Sequence, residues 1–231
     1  MADELDLATI EKLSQELDLS MVPLGAREEV REYFRKGYTE GILGASGTHN
    51  EMVIVVHNLQ QFRDRGILES AMLSAFTGPK TNHSHLNDDL IATMFSCCDR
   101  QRLIAAGDPL PDGETFTIYR GVAGHGRARR LAGFSWTADV NVACWFARRF
   151  YLAHPHILTA TVSRPDILAF WNCRDEREFI VRPTQFTRLQ MTAEDMERHA
   201  EEHTNVMKER ERLAMEMLKA KRDGLRPASA D

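Results

Sequence analysis

Large apolar residues recur at helical spacing through the first half of the chain. Every fourth position from Val30 to Ile42 is large and apolar, which predicts an amphipathic helix interrupted by two glycines. Similar stripes predict a short helix at the N-terminus and a longer one from Leu86 to about Ala106. The segment 51–62 is rich in β-branched residues but also fits one helical face, and we interpret it as a helix.

The pattern changes after the turn-rich segment 107–113, whose sequence is GDPLPDG. Apolar and polar residues then alternate in TFTIYRGV, which predicts a strand that ends in the glycine-rich loop 121–126. Further strands are predicted for FSWT, HILTATV, ILAFW and EFIVRP, and a helix capped by Thr137 for the residues up to Tyr151. A long charged helix is predicted for 191–222.

These elements predict a mixed α+β fold with three parts. Residues 1–110 form a helical region, residues 111–190 form the sheet-containing core, and residues 191–231 form a charged C-terminal helix with a tail. A chain of 231 residues is long enough for one sizeable hydrophobic core without a metal or a disulfide.

Composition narrows the class of protein. No apolar run approaches the roughly 18 residues of a membrane span, and the acidic N-terminus lacks the features of a secretory signal. We therefore expect a soluble, cytoplasmic protein that does not bind a membrane. The four cysteines show no CxxC spacing, so we expect reduced thiols and no metal.

The net charge of −5 argues against a generally basic nucleic-acid-binding protein, but the charge is unevenly distributed. The segment 120–149 contains six arginines and one aspartate. Its arginines can contact phosphates of a small anionic ligand or guide a nucleic acid, and a solvated surface explains most of them. The arginines in question are Arg127, Arg129, Arg130, Arg148 and Arg149.

Three short motifs in the second half supply a cation, a hydroxyl and a carboxylate. Arg120 ends a predicted strand, Ser135 and Thr137 share one side of another, and Glu178 opens a third. Breaking the bond between nicotinamide and ribose in NAD requires such a set. A guanidinium matches the pyrophosphate oxygens, and a carboxylate stabilises the positive charge that develops on the ribose.

Glu176 stands two residues before Glu178. If both lie on one strand, alternation places the two carboxylates on the same face. The second carboxylate can then orient an incoming nucleophile, for which an arginine guanidinium is well matched.

The motifs Tyr119-Arg120-Gly121, Ser135-Trp136-Thr137 and Glu176-Arg177-Glu178 resemble those of the ADP-ribosyltransferases of the arginine-serine-glutamate class, which includes cholera-toxin-like and clostridial binary-toxin-like enzymes. The resemblance covers roughly residues 112–190. It departs from the family in the short loop 172–175 and in tryptophan at the centre of the serine motif.

The resemblance implies two small antiparallel sheets packed face to face, with NAD as co-substrate between them. It implies that Tyr119, Arg120, Gly121, Ser135 and Thr137 bind NAD and that Phe146 stacks on nicotinamide. It further implies that Glu178 stabilises the ribosyl cation and that Glu176 positions a macromolecular acceptor. The expected acceptor is a protein arginine in preference to a nucleic acid, and the expected biological role is that of a bacterial or phage toxin, effector or metabolic regulator.

Several alternatives stay open at this point. The chain can be a nucleic-acid ADP-ribosyltransferase toxin, or a non-catalytic binding module of the same fold. The sequence His199-Ala-Glu-Glu-His203 fits a zinc-binding HxxEH pattern, but its helix is charged nearly all round, which favours a solvated helix. The C-terminal helix is a candidate docking element for an antitoxin or a regulatory partner.

Overall fold

The computed structural model describes residues 5–47, 49–78, 86–125, 133–172 and 175–224. The arginines at 127, 129 and 130, together with Gly126, lie outside these residues. Ten α-helices are described: α1 Leu7–Gln15, α2 Arg27–Lys36, α3 Thr39–Ser46, α4 Glu51–His57, α5 Leu59–Arg65, α6 Leu68–Thr77, α7 Asp88–Ser96, α8 Arg100–Ala106, α9 Val140–Arg148 and α10 Ala193–Gly224.

Six strands form the sheet of the described residues: β1 Thr115–Val122, β2 Ser135–Thr137, β3 His156–Ser163, β4 Ala169–Trp171, β5 Glu178–Ile180 and β6 Thr187–Arg188. Their order is β4-β5-β2-β1-β3-β6. Strand β1 pairs antiparallel with β3 along its whole length and with β2 through Tyr119 and Thr137. The predicted α+β class, with N-terminal helices and a long C-terminal helix, is confirmed. The division into two facing sheets stays a prediction.

Contacts between residues divide the chain into two units. The first unit comprises Met1–Gly113, Pro165–Cys173 and Phe179–Val181, and the second comprises Glu114–Arg164, Arg174–Glu178 and Arg182–Asp231. The long first segment ends three residues beyond the predicted boundary at 110. Two short segments that the sequence assigns to the core belong to the first unit instead, together with the helical region. They are Pro165–Cys173 and Phe179–Val181.

Three predicted helices are each divided into two in the structure, namely those at 30–42, 51–62 and 86–106. Gly37 ends α2 in the left-handed region with φ 68°, a conformation that glycine adopts without steric cost. Asp99 starts α8 because its side chain accepts a hydrogen bond from the backbone of Arg102 at 2.9 Å. The buried Asn58, between α4 and α5, donates to the carbonyl of Asp18 at 2.9 Å. Local caps and one long-range contact therefore set these breaks.

The first unit has an aromatic and aliphatic core among its helices. Phe34 and Phe62 are fully buried with ring centroids 5.9 Å apart, and Phe76 contacts Phe95 at 5.2 Å. The Glu69 side chain in α6 is also buried. It accepts from the backbone of Asp99 at 2.9 Å, so this buried acid is hydrogen-bonded as burial of a charge requires.

In the second unit α9 lies against β1, and α10 lies against α9. The shared core contains Ala143, Cys144, Ala147, Ile157, Met196 and Ala200, with Tyr119 packed against it. Small residues on α9 let the helix approach the strand closely. This packing fixes the β1 backbone on either side of Arg120.

Candidate functional site

The three motif residues belong to the second unit and lie on neighbouring strands. Arg120 is in β1, Ser135 begins β2 and Glu178 begins β5, and the sheet order places β2 between the other two strands. Residues 15 and 43 positions apart in the sequence are thereby brought together. The convergence that the motifs predict is present in the structure.

Ser135 joins the cation to the carboxylate. Nη1 of Arg120 donates to the Ser135 carbonyl, and the Ser135 hydroxyl donates to Oε1 of Glu178. Glu178 is buried, whereas Ser135 and Arg120 are half-buried. A carboxylate removed from water acts more strongly on a nearby developing charge than one in water does.

Gly133 makes room for the Arg120 guanidinium. A Cβ at position 133 would lie 2.9 Å from Nη1 and closer still to Cζ and Nη2. The Gly133 carbonyl accepts from the indole nitrogen of Trp136 at 2.9 Å, and the Trp136 side chain is fully buried. The buried indole thus anchors the backbone on which the guanidinium rests.

The segment before β5 has an unusual backbone. Asp175 and Arg177 have φ values of 54° and 47°, in the left-handed region that residues with a side chain rarely adopt. Glu176 lies between them and outside β5, which starts at Glu178. The prediction that strand alternation places both carboxylates on one face is therefore wrong, because no regular strand connects them.

Hydrogen bonds and an ion pair hold this segment in place. Thr137 Oγ1 donates to the Glu176 carbonyl at 2.5 Å, and the Ala138 amide donates to the Arg177 carbonyl at 3.2 Å. Arg210 of α10 forms an ion pair with Asp175. The backbone of Glu176 is consequently fixed against the end of β2.

Thr137 and Gly121 have structural roles that need no ligand. Besides its bond to Glu176, the buried Thr137 hydroxyl accepts from the Asp139 amide at 3.0 Å. A Cβ at Gly121 would collide with the Ala143 carbonyl and lie 2.6 Å from the Ala147 nitrogen. Close approach of α9 therefore explains the glycine. Binding of NAD by Tyr119, Gly121 and Thr137 stays a prediction.

Phe146 lies on α9 and is half-buried. Its ring centroid is 5.1 Å from that of Trp145, and the guanidinium carbon of Arg149 lies 4.6 Å from it. The ring is thus outside the buried cluster that α9 forms with β1. Its stacking on nicotinamide stays a prediction.

The two histidines of the HxxEH pattern contact α9. Nδ1 of His199 is 2.5 Å from the side-chain oxygen of Asn141, and the His203 ring centroid is 5.5 Å from that of Trp145. Burial lowers the pKa of His203, and the nearby carboxylates of Asp139 and Glu176 oppose that effect. Within the described residues no three His, Cys, Asp or Glu side chains are grouped as a metal site.

Three of the four cysteines lie in the described part of the chain, and each is a free thiol. Burial is the main cause that raises the pKa of Cys98 and of Cys144 to about 12. A thiol with so high a pKa is a poor nucleophile at neutral pH. Cys144 belongs to the buried cluster that α9 forms with β3 and α10.

Sequence reasoning missed Gly133, Asp175 and Arg210. Gly133 stands two residues before Ser135, a position at which a glycine can signal close approach of another group. Asp175 directly precedes the Glu-x-Glu motif. Nothing in the sequence of the evenly charged C-terminal helix distinguishes Arg210 from its neighbours.

Comparison with known proteins finds no family model, no curated protein and no solved structure that matches this chain. Of the helices described, none has the length and apolar character needed to cross a membrane.

Proposed function

We propose that this chain is an NAD-dependent mono-ADP-ribosyltransferase. The observation that carries the proposal is the chain of contacts from Arg120 through Ser135 to Glu178 across three neighbouring strands. A cation, a hydroxyl and a buried carboxylate are gathered within one small region of the second unit. Cleavage of the nicotinamide–ribose bond requires these three kinds of group.

Arg120 supplies the charge that binds the pyrophosphate of NAD. A guanidinium has five N–H donors in a fixed plane, and the bond to the Ser135 carbonyl takes one of them and orients that plane. Gly133 leaves the space in which the guanidinium lies. Both features support a cation held in one orientation, which is the arrangement that favours binding of a phosphate group.

Glu178 stabilises the positive charge that develops on the ribose. The bond between C1′ and the nicotinamide nitrogen breaks, and its electron pair leaves with neutral nicotinamide. The acceptor then forms a bond to C1′ and loses one proton. The Ser135 hydroxyl donates to Oε1 and so fixes the direction of the carboxylate.

Glu176 acts on the acceptor. Its backbone is held by Thr137, and it stands two residues before Glu178, the first residue of β5. A carboxylate there can orient a nucleophile and favour loss of its proton as the new bond forms. The Glu-x-Glu pattern alone favours a protein arginine as the acceptor.

The proposal is tested by release of nicotinamide. The purified chain is incubated with NAD and a cell lysate, and nicotinamide is quantified over time for the wild type and for Glu178→Gln. Loss of one preorganised charge in such a site costs roughly two to three powers of ten in rate. We therefore expect release by the wild type and a decrease of about 100- to 1,000-fold in the variant.

Glu114→Gln is the matched control, because Glu114 is exposed and precedes β1. It should release nicotinamide at the wild-type rate. Absence of nicotinamide release by the wild-type chain in every lysate would refute the proposed activity and favour a non-catalytic binding module. Equal rates for the wild type and Glu178→Gln would refute the role of that carboxylate.

A further inference from the structure

The six residues after α9, from Arg149 to His154, are all exposed, and three of them are large and apolar. Phe150, Tyr151 and Leu152 are 65%, 92% and 47% exposed. Exposed apolar residues are common singly, whereas a contiguous exposed apolar patch is typical of an interaction site. We call Arg149, Phe150, Tyr151 and Leu152 the 149–152 platform.

The backbone holds the platform in an unfavourable conformation. Tyr151 and His154 have φ values of 53° and 54°. A bulky residue in the left-handed region costs free energy, and such outliers are concentrated at functional sites. Of the phenylalanine, tyrosine and tryptophan side chains that the structure describes, Tyr151 is also the most exposed.

The platform is attached to the end of the strand that carries Arg120. The Gly124 amide donates to the Ala153 carbonyl at 2.6 Å, and the rings of His125 and His154 are 4.7 Å apart. Gly124 follows Arg120 by four residues, which limits the distance between them to about 14 Å. The platform therefore belongs to the same unit as the candidate active site and is attached just beyond the end of β1.

Arginine and aromatic rings are stacked within the platform. The guanidinium carbon of Arg149 lies 4.4 Å from the Phe150 ring centroid and 4.6 Å from that of Phe146. The sequence contains no Asp or Glu from 140 to 165. Flat rings next to a cation, on a segment without carboxylates, match a partner that carries both flat bases and phosphates.

We propose that the 149–152 platform binds single-stranded nucleic acid and that this nucleic acid is the ADP-ribose acceptor. Bases stack on Phe150 and Tyr151 while Arg149 attracts the phosphates. The role of the nucleic acid as acceptor rests on the proposed function, whereas its binding to the platform does not. A protein acceptor is the competing class, and the absence of carboxylates in a segment rich in arginine and rings favours nucleic acid over it.

Binding is measured by fluorescence anisotropy without NAD, with a labelled single-stranded RNA of about 12 nucleotides, a DNA of the same sequence, and the corresponding duplexes. We expect single strands to bind more tightly than duplexes, because paired bases are not available to stack on the rings. Affinity should also fall as salt rises from about 50 to about 200 mM.

The test variant is Phe150→Ala/Tyr151→Ala, and the control is Met215→Ala/Met217→Ala, which removes two side chains of similar exposure from α10. Loss of one stacked base reduces affinity by about 5- to 150-fold, so the double variant should bind at least about fivefold more weakly. The control should bind as the wild type does. All four side chains are exposed, so both variants should fold.

The acceptor is identified with NAD labelled in its adenylate part. After incubation with lysate, label on the acceptor should be removed by nuclease and resist protease. Three results would each overturn the proposal: no oligonucleotide binding up to about 100 µM, equal affinity of the double variant and the wild type, or protease-sensitive label. Oligonucleotide binding without nicotinamide release would instead refute the proposed function and leave the binding surface standing.

Discussion

Replacement of Gly133 by alanine tests whether the placement of the Arg120 guanidinium controls binding of NAD. The new methyl group would lie 2.9 Å from Nη1 and nearer to Cζ, which is closer than a Cβ approaches such atoms in folded proteins. The guanidinium is at the far end of a flexible side chain, so it should move rather than the backbone. Its hydrogen bond to the Ser135 carbonyl would then be lost.

The size of the effect follows from that hydrogen bond. Hydrogen bonds to charged groups contribute roughly 1.5–3 kcal/mol, and 1.4 kcal/mol is a factor of ten. A displaced cation should therefore weaken binding of NAD by about 10- to 150-fold. The change should appear in KM while kcat stays close to wild type, because Arg120 binds the substrate and Glu178 acts on the transition state.

The assay is the initial rate of nicotinamide release as a function of NAD concentration. Gly44→Ala is the control, because Gly44 lies in α3 with open space around it and should leave both constants unchanged. Circular dichroism establishes that both variants are folded. A Gly133→Ala protein with wild-type KM would refute the reasoning, since the guanidinium would then not need its observed position.

Three further predictions concern stability and pH. Gly121→Ala should lower the free energy of unfolding by about 1–3 kcal/mol or more in urea titration, because the methyl group meets the α9 backbone at Ala143; unchanged stability would contradict this packing. Thr137→Val should lower the free energy of unfolding by about 1–3 kcal/mol, because the Glu176 carbonyl loses its hydrogen-bond donor. Thr137→Ser keeps the hydroxyl and should therefore keep the wild-type stability. Burial lowers the pKa of His203 below 6.5, so the unfolded chain binds a proton that the folded chain does not. The melting temperature should accordingly fall as pH drops below about 6.5, and His203→Gln should flatten that dependence.

Strong periodic patterns predict the elements of this fold, whereas their ends depend on local chemistry. The predicted strand TFTIYRGV coincides with β1, because its alternation extends over eight residues and one side packs on α9. The short β6 was not predicted. Two residues carry no periodic signal, and β6 exists because Thr187 and Arg188 pair with β3.

The candidate site was predictable in its residue types but not in its contacts. Arg120, Ser135 and Glu178 could be selected by motif, and the structure brings them together. The contact of Gly133 with the guanidinium depends on packing between residues 13 positions apart, which a sequence pattern does not encode. The left-handed backbone at Arg177 likewise could not be predicted, and it is the reason that the expected orientation of Glu176 fails.

In the proposed reaction, Arg120 and Glu178 act on one molecule of NAD in different ways. The most direct test is the steady-state kinetics of nicotinamide release by Arg120→Gln and Glu178→Gln, together with calorimetric titration of each variant with NAD. We predict that Arg120→Gln binds NAD at least about tenfold more weakly, and that Glu178→Gln binds NAD normally but loses kcat by about 100-fold or more. Normal NAD binding by Arg120→Gln, or normal kcat in Glu178→Gln, would contradict the claim.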